Sequence, residues 1–131
     1  MAKYLFLICS TWLLLSSLPA LPQTRQQAKT ISPAAFQQQL SYQPGILLDV
    51  RTPEEFSRGH LPGAVNLNFY DPDFKEKSKV YATQKQVLVY CAVGGRSAKA
   101  AQWLQELKTP RVINLAGGYD AWTKAGLPVK K

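Results

Sequence analysis

The sequence predicts an α/β domain of three layers, in which a mainly parallel central sheet is flanked by helices. Short apolar runs of strand length alternate along the chain with segments of helical periodicity, which indicates crossover connections between parallel strands. The run at 86–90 is apolar at every position after the first, as expected for a central strand covered on both faces. With 131 residues, of which 46% are hydrophobic and 18% charged, the chain fits one such domain.

The first half of the predicted domain begins near Thr30 and opens with a helix. Ser32 followed by Pro33 is typical of a helix start, and Pro44 with Gly45 ends that helix. The later elements of this half are a strand at 46–50, a short helix that starts with the capping-box pair Thr52 and Glu55 and ends near Gly59, a short strand at 64–67, and a helical or irregular stretch at 71–79.

The second half contains the central strand at 86–90, which leads directly into Cys91. The segment 97–108 has apolar residues at helical spacing, and Pro110 breaks the pattern. The remaining elements are a strand at 112–115, a turn at Gly117 and Gly118, and a helix at 119–124 closed by Gly126 and Pro128.

The N-terminus has the pattern of a targeting segment. One charge, Lys3, precedes an apolar run at 4–18, which is shorter than the roughly 20 residues that span a bilayer comfortably. We therefore expect residues 1–20 to be a signal peptide for export to the periplasm, with a retained N-terminal membrane anchor as the alternative. Residues 21–29, rich in Gln and basic groups, are expected to form a flexible lead-in.

The distribution of charge along the chain indicates whether it binds nucleic acid. Sixteen Lys and Arg against eight Asp and Glu give a net charge of +8, but no run of basic residues is longer than two. A dedicated nucleic-acid surface is therefore not predicted.

Removal of residues 1–20 would leave Cys91 as the single cysteine, so that no internal disulfide could form.

The segment Cys91–Arg96, here called the Cys91 loop, is the strongest candidate for chemistry. It lies between a buried strand and a helix, at the carboxyl end of the sheet, where α/β proteins bind ligands. Gly94 and Gly95 allow positive φ, so that the N–H groups of residues 92–96 can converge on the Cys91 sulfur beside the positive end of the helix that begins near Arg96. These donors would lower the pKa of the thiol below about 8.5. Cys91 is therefore predicted to be a thiolate nucleophile, with a buried structural thiol as the alternative.

Four separated segments of the sequence resemble the rhodanese family of sulfurtransferases, in the order and at the spacing of a single rhodanese domain. They are 48–56, 59–64, 91–97, and 115–122 with 126–128, and the resemblance extends over about residues 30–129. It implies a rhodanese-like domain at 30–131. It also implies a cysteine that takes a sulfane sulfur from a small anionic donor such as thiosulfate, holds it as a persulfide, and passes it to a thiophilic acceptor such as cyanide or a thiol. No metal or organic cofactor is needed.

The resemblance also suggests roles for the residues around Cys91. The backbone N–H groups of the loop, and Ser97 after it, would bind the sulfur and its substrate; the binding residues are Ala92, Val93, Gly94, Gly95 and Ser97. Arg96 suits the charge of a departing sulfite, but it could instead pair with a carboxylate and brace the loop. Asp49 and Arg51 are candidate supporting residues, with a structural ion pair favoured. Ala92 and Val93 are neutral, so the loop lacks basic side chains that some thiosulfate-using relatives carry there.

Two other functions compete with sulfur transfer. A phosphatase or arsenate reductase would use a similar cysteine loop, but four residues separate Cys91 from Arg96, one fewer than in the phosphatase-type loop that holds a full-size oxyanion. A non-catalytic module that binds a partner or carries sulfur to a dedicated acceptor protein is the second alternative, and a protein thiol is a possible partner.

Overall fold

The computed structural model describes Pro19, residues 27–43 and residues 45–131. Apart from Pro19, the predicted signal peptide or anchor at 1–20 lies outside the described residues, as do residues 21–26 of the predicted lead-in and Pro44 at the predicted end of the first helix. No helix within the described residues is both long and apolar enough to cross a membrane.

A five-stranded parallel sheet forms the centre of the domain. Its strands are β1 (Lys29–Ile31), β2 (Ile46–Asp49), β3 (Val65–Asn66), β4 (Val87–Tyr90) and β5 (Val112–Leu115). Their spatial order is β1-β5-β4-β2-β3, and every neighbouring pair is parallel. The helices are α1 (Pro33–Tyr42), α2 (Pro53–Ser57), α3 (Phe74–Ala82), α4 (Gly95–Glu106) and α5 (Gly118–Lys124). The predicted α/β fold class is therefore confirmed.

Apolar side chains of the strands pack on both faces of the sheet and produce the three layers. On one face, Val89 of β4 lies in the same core cluster as Leu104 of α4. On the other, Leu88 lies with Phe36 of α1 and Trp122 of α5, whose rings meet edge to face. Burial of each large side chain contributes roughly 1.5–3 kcal/mol relative to exposure. Because β4 is covered on both sides, its carboxyl end is fixed where the Cys91 loop begins.

Side-chain caps fix the starts of the first two helices. The Ser32 hydroxyl accepts a hydrogen bond from the N–H of Ala35 at the start of α1. At α2, Thr52 accepts from the N–H of Glu55, and the Glu55 carboxylate accepts from the N–H of Thr52. The predicted capping box is thus confirmed. It also fixes the Glu55 carboxylate in space, which matters for the site described below.

Strand β1 is an element that the sequence did not predict. Lys29, assigned to the lead-in, pairs with Ile113 of β5, and the carbonyl of Ile31 accepts a hydrogen bond from the N–H of Ala116. Three residues with a single large apolar side chain give no strand pattern, so this strand depends on the backbone groups that β5 offers.

The stretch 71–79, predicted as helical or irregular, contains the start of helix α3. The helix begins at Phe74 and ends at Ala82, and both of these residues are buried in the core.

Candidate active site

Cys91 lies immediately after β4, at the carboxyl end of the sheet. The residue is 1% exposed and belongs to the same core cluster as Val89 and Ala100. Its surroundings are nevertheless partly polar, because the backbone N–H of Gly94 donates a hydrogen bond to Sγ over 3.0 Å. The thiol is therefore buried, as in the structural alternative, but it also accepts a hydrogen bond from the loop backbone.

Local donors favour the thiolate form of Cys91. Burial alone raises the pKa of this thiol, since it removes the charged form from water. Hydrogen bonds from the Ser97 hydroxyl and from the N–H groups of Ser97, Gly94 and Val93 act in the opposite direction and outweigh burial, so the pKa lies below its ordinary value. The shift has the direction predicted from the sequence, and its cause includes a side chain, Ser97, as well as the backbone.

The turn between Cys91 and α4 uses one left-handed residue. Gly94 is the N-cap of α4 and has a φ of 115°, whereas Gly95 is the first residue of the helix and has a negative φ. The sequence allowed positive φ at both glycines, but the structure needs it only at Gly94, because the helix begins directly after the reversal there. Arg96 consequently lies in the first turn of α4 and not in an irregular loop.

The start of α5 holds the Cys91 loop from the other side. The N–H groups of Tyr119 and Asp120 donate to the carbonyl oxygens of Cys91 and Ala92, at 2.8 and 3.0 Å. This approach requires a glycine at position 118, which has a φ of 60° and where a Cβ would lie 2.4 Å from the Cys91 oxygen. Sequence reasoning assigned Gly118 to a turn and missed its contact with the loop, although the glycine pair itself was the available signal.

Arg96 forms an ion pair with Glu55. Its two terminal nitrogens donate to the two carboxylate oxygens at 3.0 and 3.1 Å, and the side chains are 16% and 35% exposed. The hydrogen bond from Arg96 lowers the pKa of Glu55, and the same bond raises the pKa of Arg96, to which the nearby Cys91 charge also contributes. Arg96 therefore has the carboxylate partner that the sequence left open. Glu55 itself was predicted only as a capping residue.

Asp49 and Arg51 belong to a buried network behind the loop. The Arg51 guanidinium pairs with the Asp49 carboxylate at 2.6 Å, donates to the carbonyl of Gly59 at 2.7 Å, and lies 4.2 Å from the centre of the Tyr119 ring. The Tyr90 hydroxyl donates to Asp49, and burial together with this carboxylate raises the pKa of Tyr90. These contacts agree with the structural ion pair favoured from the sequence.

The surroundings of the loop are apolar and open. Val93, in the loop itself, is 66% exposed, and Ala92 beside it is half-buried. Tyr70 is 65% exposed, and its ring lies 5.3 Å from the guanidinium carbon of Arg96. The single histidine of the sequence, His60, lies elsewhere, stacked on Phe56 with its Nδ1 3.1 Å from the Phe56 carbonyl oxygen. Val93 and Tyr70 are therefore exposed side chains near Cys91 and Arg96.

The described domain matches a known family along most of its length. The rhodanese-like domain model fits residues 32–125. This chain belongs to the rhodanese-like family. A curated relative from Arabidopsis thaliana, thiosulfate sulfurtransferase 16 of the chloroplast, is 43% identical over 93 residues, which cover 63% of this chain and 78% of the relative. A protein named sulfurtransferase from Allochromatium vinosum is 34% identical over 84 residues, covering 64% and 77%.

The rhodanese-like assignment also agrees with solved structures. A rhodanese-related protein from Thermoplasma volcanium superposes with a TM-score of 0.69 at 29% identity, covering 78% of this chain and 97% of that one. The family resemblance found in the four sequence segments is therefore confirmed. Two relatives of this chain are thus named sulfurtransferases, and the chain itself has a cysteine loop at the carboxyl end of its sheet.

Proposed function

We propose that this rhodanese-like protein is a sulfurtransferase that moves a sulfane sulfur from a donor such as thiosulfate to a thiophilic acceptor, through a persulfide on Cys91. The observation that carries the proposal is the hydrogen bond from the Gly94 N–H to the Cys91 sulfur, which with the nearby Ser97 lowers the pKa of the thiol and favours the nucleophilic thiolate. The names of the relatives support the same type of activity.

The proposed reaction balances without any cofactor. The Cys91 thiolate attacks the outer sulfur of thiosulfate and forms a new S–S bond, while the S–S bond of thiosulfate breaks and its electron pair leaves on sulfite. An acceptor such as cyanide then attacks the outer sulfur of the persulfide, so that thiocyanate leaves and the thiolate is restored. The N–H groups that bind Sγ would also stabilise the negative charge on the persulfide.

Two features disfavour the phosphatase alternative. The Cys91 loop has four residues between Cys91 and Arg96, fewer than a cradle for a full-size oxyanion uses. Both terminal nitrogens of Arg96 bind Glu55, and the carboxylate would repel a phosphate dianion placed beside it. Sulfur transfer needs less room, since only the outer sulfur of the donor has to reach Sγ.

Intact mass spectrometry with thiosulfate tests the proposal. We expect the full chain to gain one sulfur atom that maps to Cys91 and that cyanide removes with formation of thiocyanate. Cys91→Ser should lose both the gain and the turnover, whereas Cys9→Ser, the matched control at the other cysteine of the sequence, should keep them.

Equal thiocyanate formation by the wild type and Cys91→Ser would reject the proposal. A persulfide that forms on Cys91 but never turns over would point instead to the sulfur-carrier role. Hydrolysis of an aryl phosphate that depends on Cys91, without sulfur transfer, would favour the phosphatase.

A further inference from the structure

The net positive charge that Arg96 places beside Cys91 is reduced by a neighbouring carboxylate. The nearest charged partner of Arg96 is Glu55, bound through both carboxylate oxygens, and the pair together carries no net charge. Glu55 is fixed in this place, because its Oε2 also accepts the N–H of Thr52 in the capping box. The ion pair is therefore a built part of the site and not a chance surface contact.

The loop residues between Cys91 and Arg96 carry no charged side chain. Ala92 and Val93 are neutral, and Val93 exposes an apolar side chain. The exposed Tyr70 ring covers one side of the Arg96 guanidinium. A dianion such as thiosulfate would thus gain little attraction here, while a donor with an organic group would find two apolar side chains to contact.

We propose that Glu55 is a specificity-determining residue that tunes this site toward organic sulfane-sulfur donors with one negative charge, such as thiosulfonates and organic persulfides, and away from dianionic thiosulfate. The inference rests on the proposed function, because it concerns the donor of that same reaction. The chemical step is unchanged: the Cys91 thiolate takes the outer sulfur of a thiosulfonate, and the electron pair of the broken S–S bond leaves on the sulfinate.

The variant Glu55→Gln tests the charge part of the proposal. Glutamine can keep the capping box, so the fold of α2 is retained, but it no longer neutralises Arg96. We expect the ratio of kcat/KM for thiosulfate to kcat/KM for benzenethiosulfonate, with cyanide as acceptor, to rise about fivefold at low salt. The rise should shrink as ionic strength increases, because solvent ions screen the freed guanidinium.

Two further variants separate this effect from a loss of charge or of stability. Glu54→Gln removes the same charge one residue earlier, at an exposed position whose carboxylate is not paired with Arg96, and should leave the donor ratio unchanged. Arg96→Gln leaves the Glu55 carboxylate uncompensated and should move the ratio in the opposite direction. Opposite shifts from the two partners of one ion pair cannot come from general destabilisation.

The apolar part of the proposal is tested at Val93. The exposed change Val93→Ser should lower kcat/KM for benzenethiosulfonate about threefold more than that for thiosulfate, since it removes apolar contact area from the organic group alone. An equal effect on both donors would overturn the assignment of an organic substituent to this site.

The outcomes distinguish this inference from the proposed function. If neither donor places sulfur on Cys91, the proposed function fails, and the donor assignment falls with it. If both donors form the persulfide but Glu55→Gln and Glu54→Gln change the donor ratio equally, or not at all, sulfur transfer stands and the role of Glu55 is overturned.

Discussion

At the scale of single residues, Ser97 is the side chain that acts on Cys91 in addition to the backbone N–H groups of the loop. It is fully buried in the first turn of α4, where its hydroxyl donates to the carbonyl oxygen of Gly94 over 3.2 Å, and it also lowers the pKa of Cys91. The hydroxyl has one proton to donate. When Cys91 is deprotonated, the charged sulfur is the stronger acceptor, so the serine stabilises the thiolate most.

Replacement of this hydroxyl should therefore raise the pKa of Cys91. In Ser97→Ala the carbonyl of Gly94 still accepts the N–H of Ala98, so no new buried acceptor is left without a partner. The rate of alkylation by iodoacetamide should rise with pH through a midpoint below the ordinary cysteine pKa in the wild type, and through a higher midpoint in the variant. Near the wild-type midpoint, the variant should react more slowly.

The exposed hydroxyl of Ser41, which contacts the carbonyl of Gln37 in α1, provides the control. Ser41→Ala should leave the alkylation profile unchanged. An unshifted midpoint in Ser97→Ala would mean that backbone N–H groups alone lower the pKa of Cys91.

The residues that the sequence placed around the Cys91 sulfur are those contiguous with it, and Asp49 and Arg51 were predicted only as a supporting ion pair. The geometry of Gly94 and the position of Ser97 follow from the order strand, loop and helix, because the loop closes within a few residues. Glu55 was missed as a partner of Arg96, which lies 41 positions further along the chain. Such a contact depends on where α2 and α4 meet, and no local pattern encodes it. The catalytic role of Cys91 and the substrate contacts of the loop stay predictions.

At the scale of elements, the junction between the Cys91 loop and α5 controls the shape of the site. Gly118→Ala places a Cβ 2.4 Å from the carbonyl oxygen of Cys91 and 2.7 Å from that of Ala92, both backbone atoms that cannot move alone. The left-handed φ adds about 1–2 kcal/mol of strain for any residue with a Cβ. We therefore expect Gly118→Ala to lower the free energy of unfolding by more than this strain, and to slow sulfur loading of Cys91 measured by intact mass.

Gly126 offers a matched control for that substitution. It has a similar φ of 70°, but a Cβ there would meet nothing within 4 Å. Gly126→Ala should therefore show the backbone strain alone and retain the loading rate. If the two variants lose equal stability in chemical denaturation, the close approach of α5 to the loop does not shape the site.

The elements also show which structure can be predicted locally. The starts of α1 and α2 were predicted correctly from Ser32 and Thr52, because the hydrogen bond of a cap joins residues only three positions apart. Strand β1 was missed because only its pairing with β5 makes it a strand. The start of α4 fell at Gly95, earlier than predicted, because the reversal of the chain is complete at Gly94.

At the scale of the whole molecule, the fold class was predictable because β4 is apolar on both faces, which only a covered central strand explains. The Asp49–Arg51 ion pair was also predicted, but the hydrogen bond from Tyr90 to Asp49 was not, since these two residues come from different strands. The network joins β2 to β4, and through Gly59 and Leu61 it also holds the segment after α2. The export of the chain and the processing of residues 1–20 stay predictions, because they concern residues outside the described structure.

Tyr90 is the residue on which this network converges. Its hydroxyl donates to the Asp49 carboxylate and accepts the N–H of Leu61 over 3.1 Å, so one oxygen links two strands to the segment after α2. Tyr90→Phe keeps the buried ring but leaves the Leu61 N–H without that acceptor, which costs about 1–3 kcal/mol for a buried group. We expect this loss in the free energy of unfolding measured with urea. Tyr42→Phe, which removes the same hydroxyl from a ring that is 83% exposed, should change it by less than about 0.5 kcal/mol. Equal stability of the two variants would mean that the Tyr90 hydroxyl does not contribute to the stability of the domain.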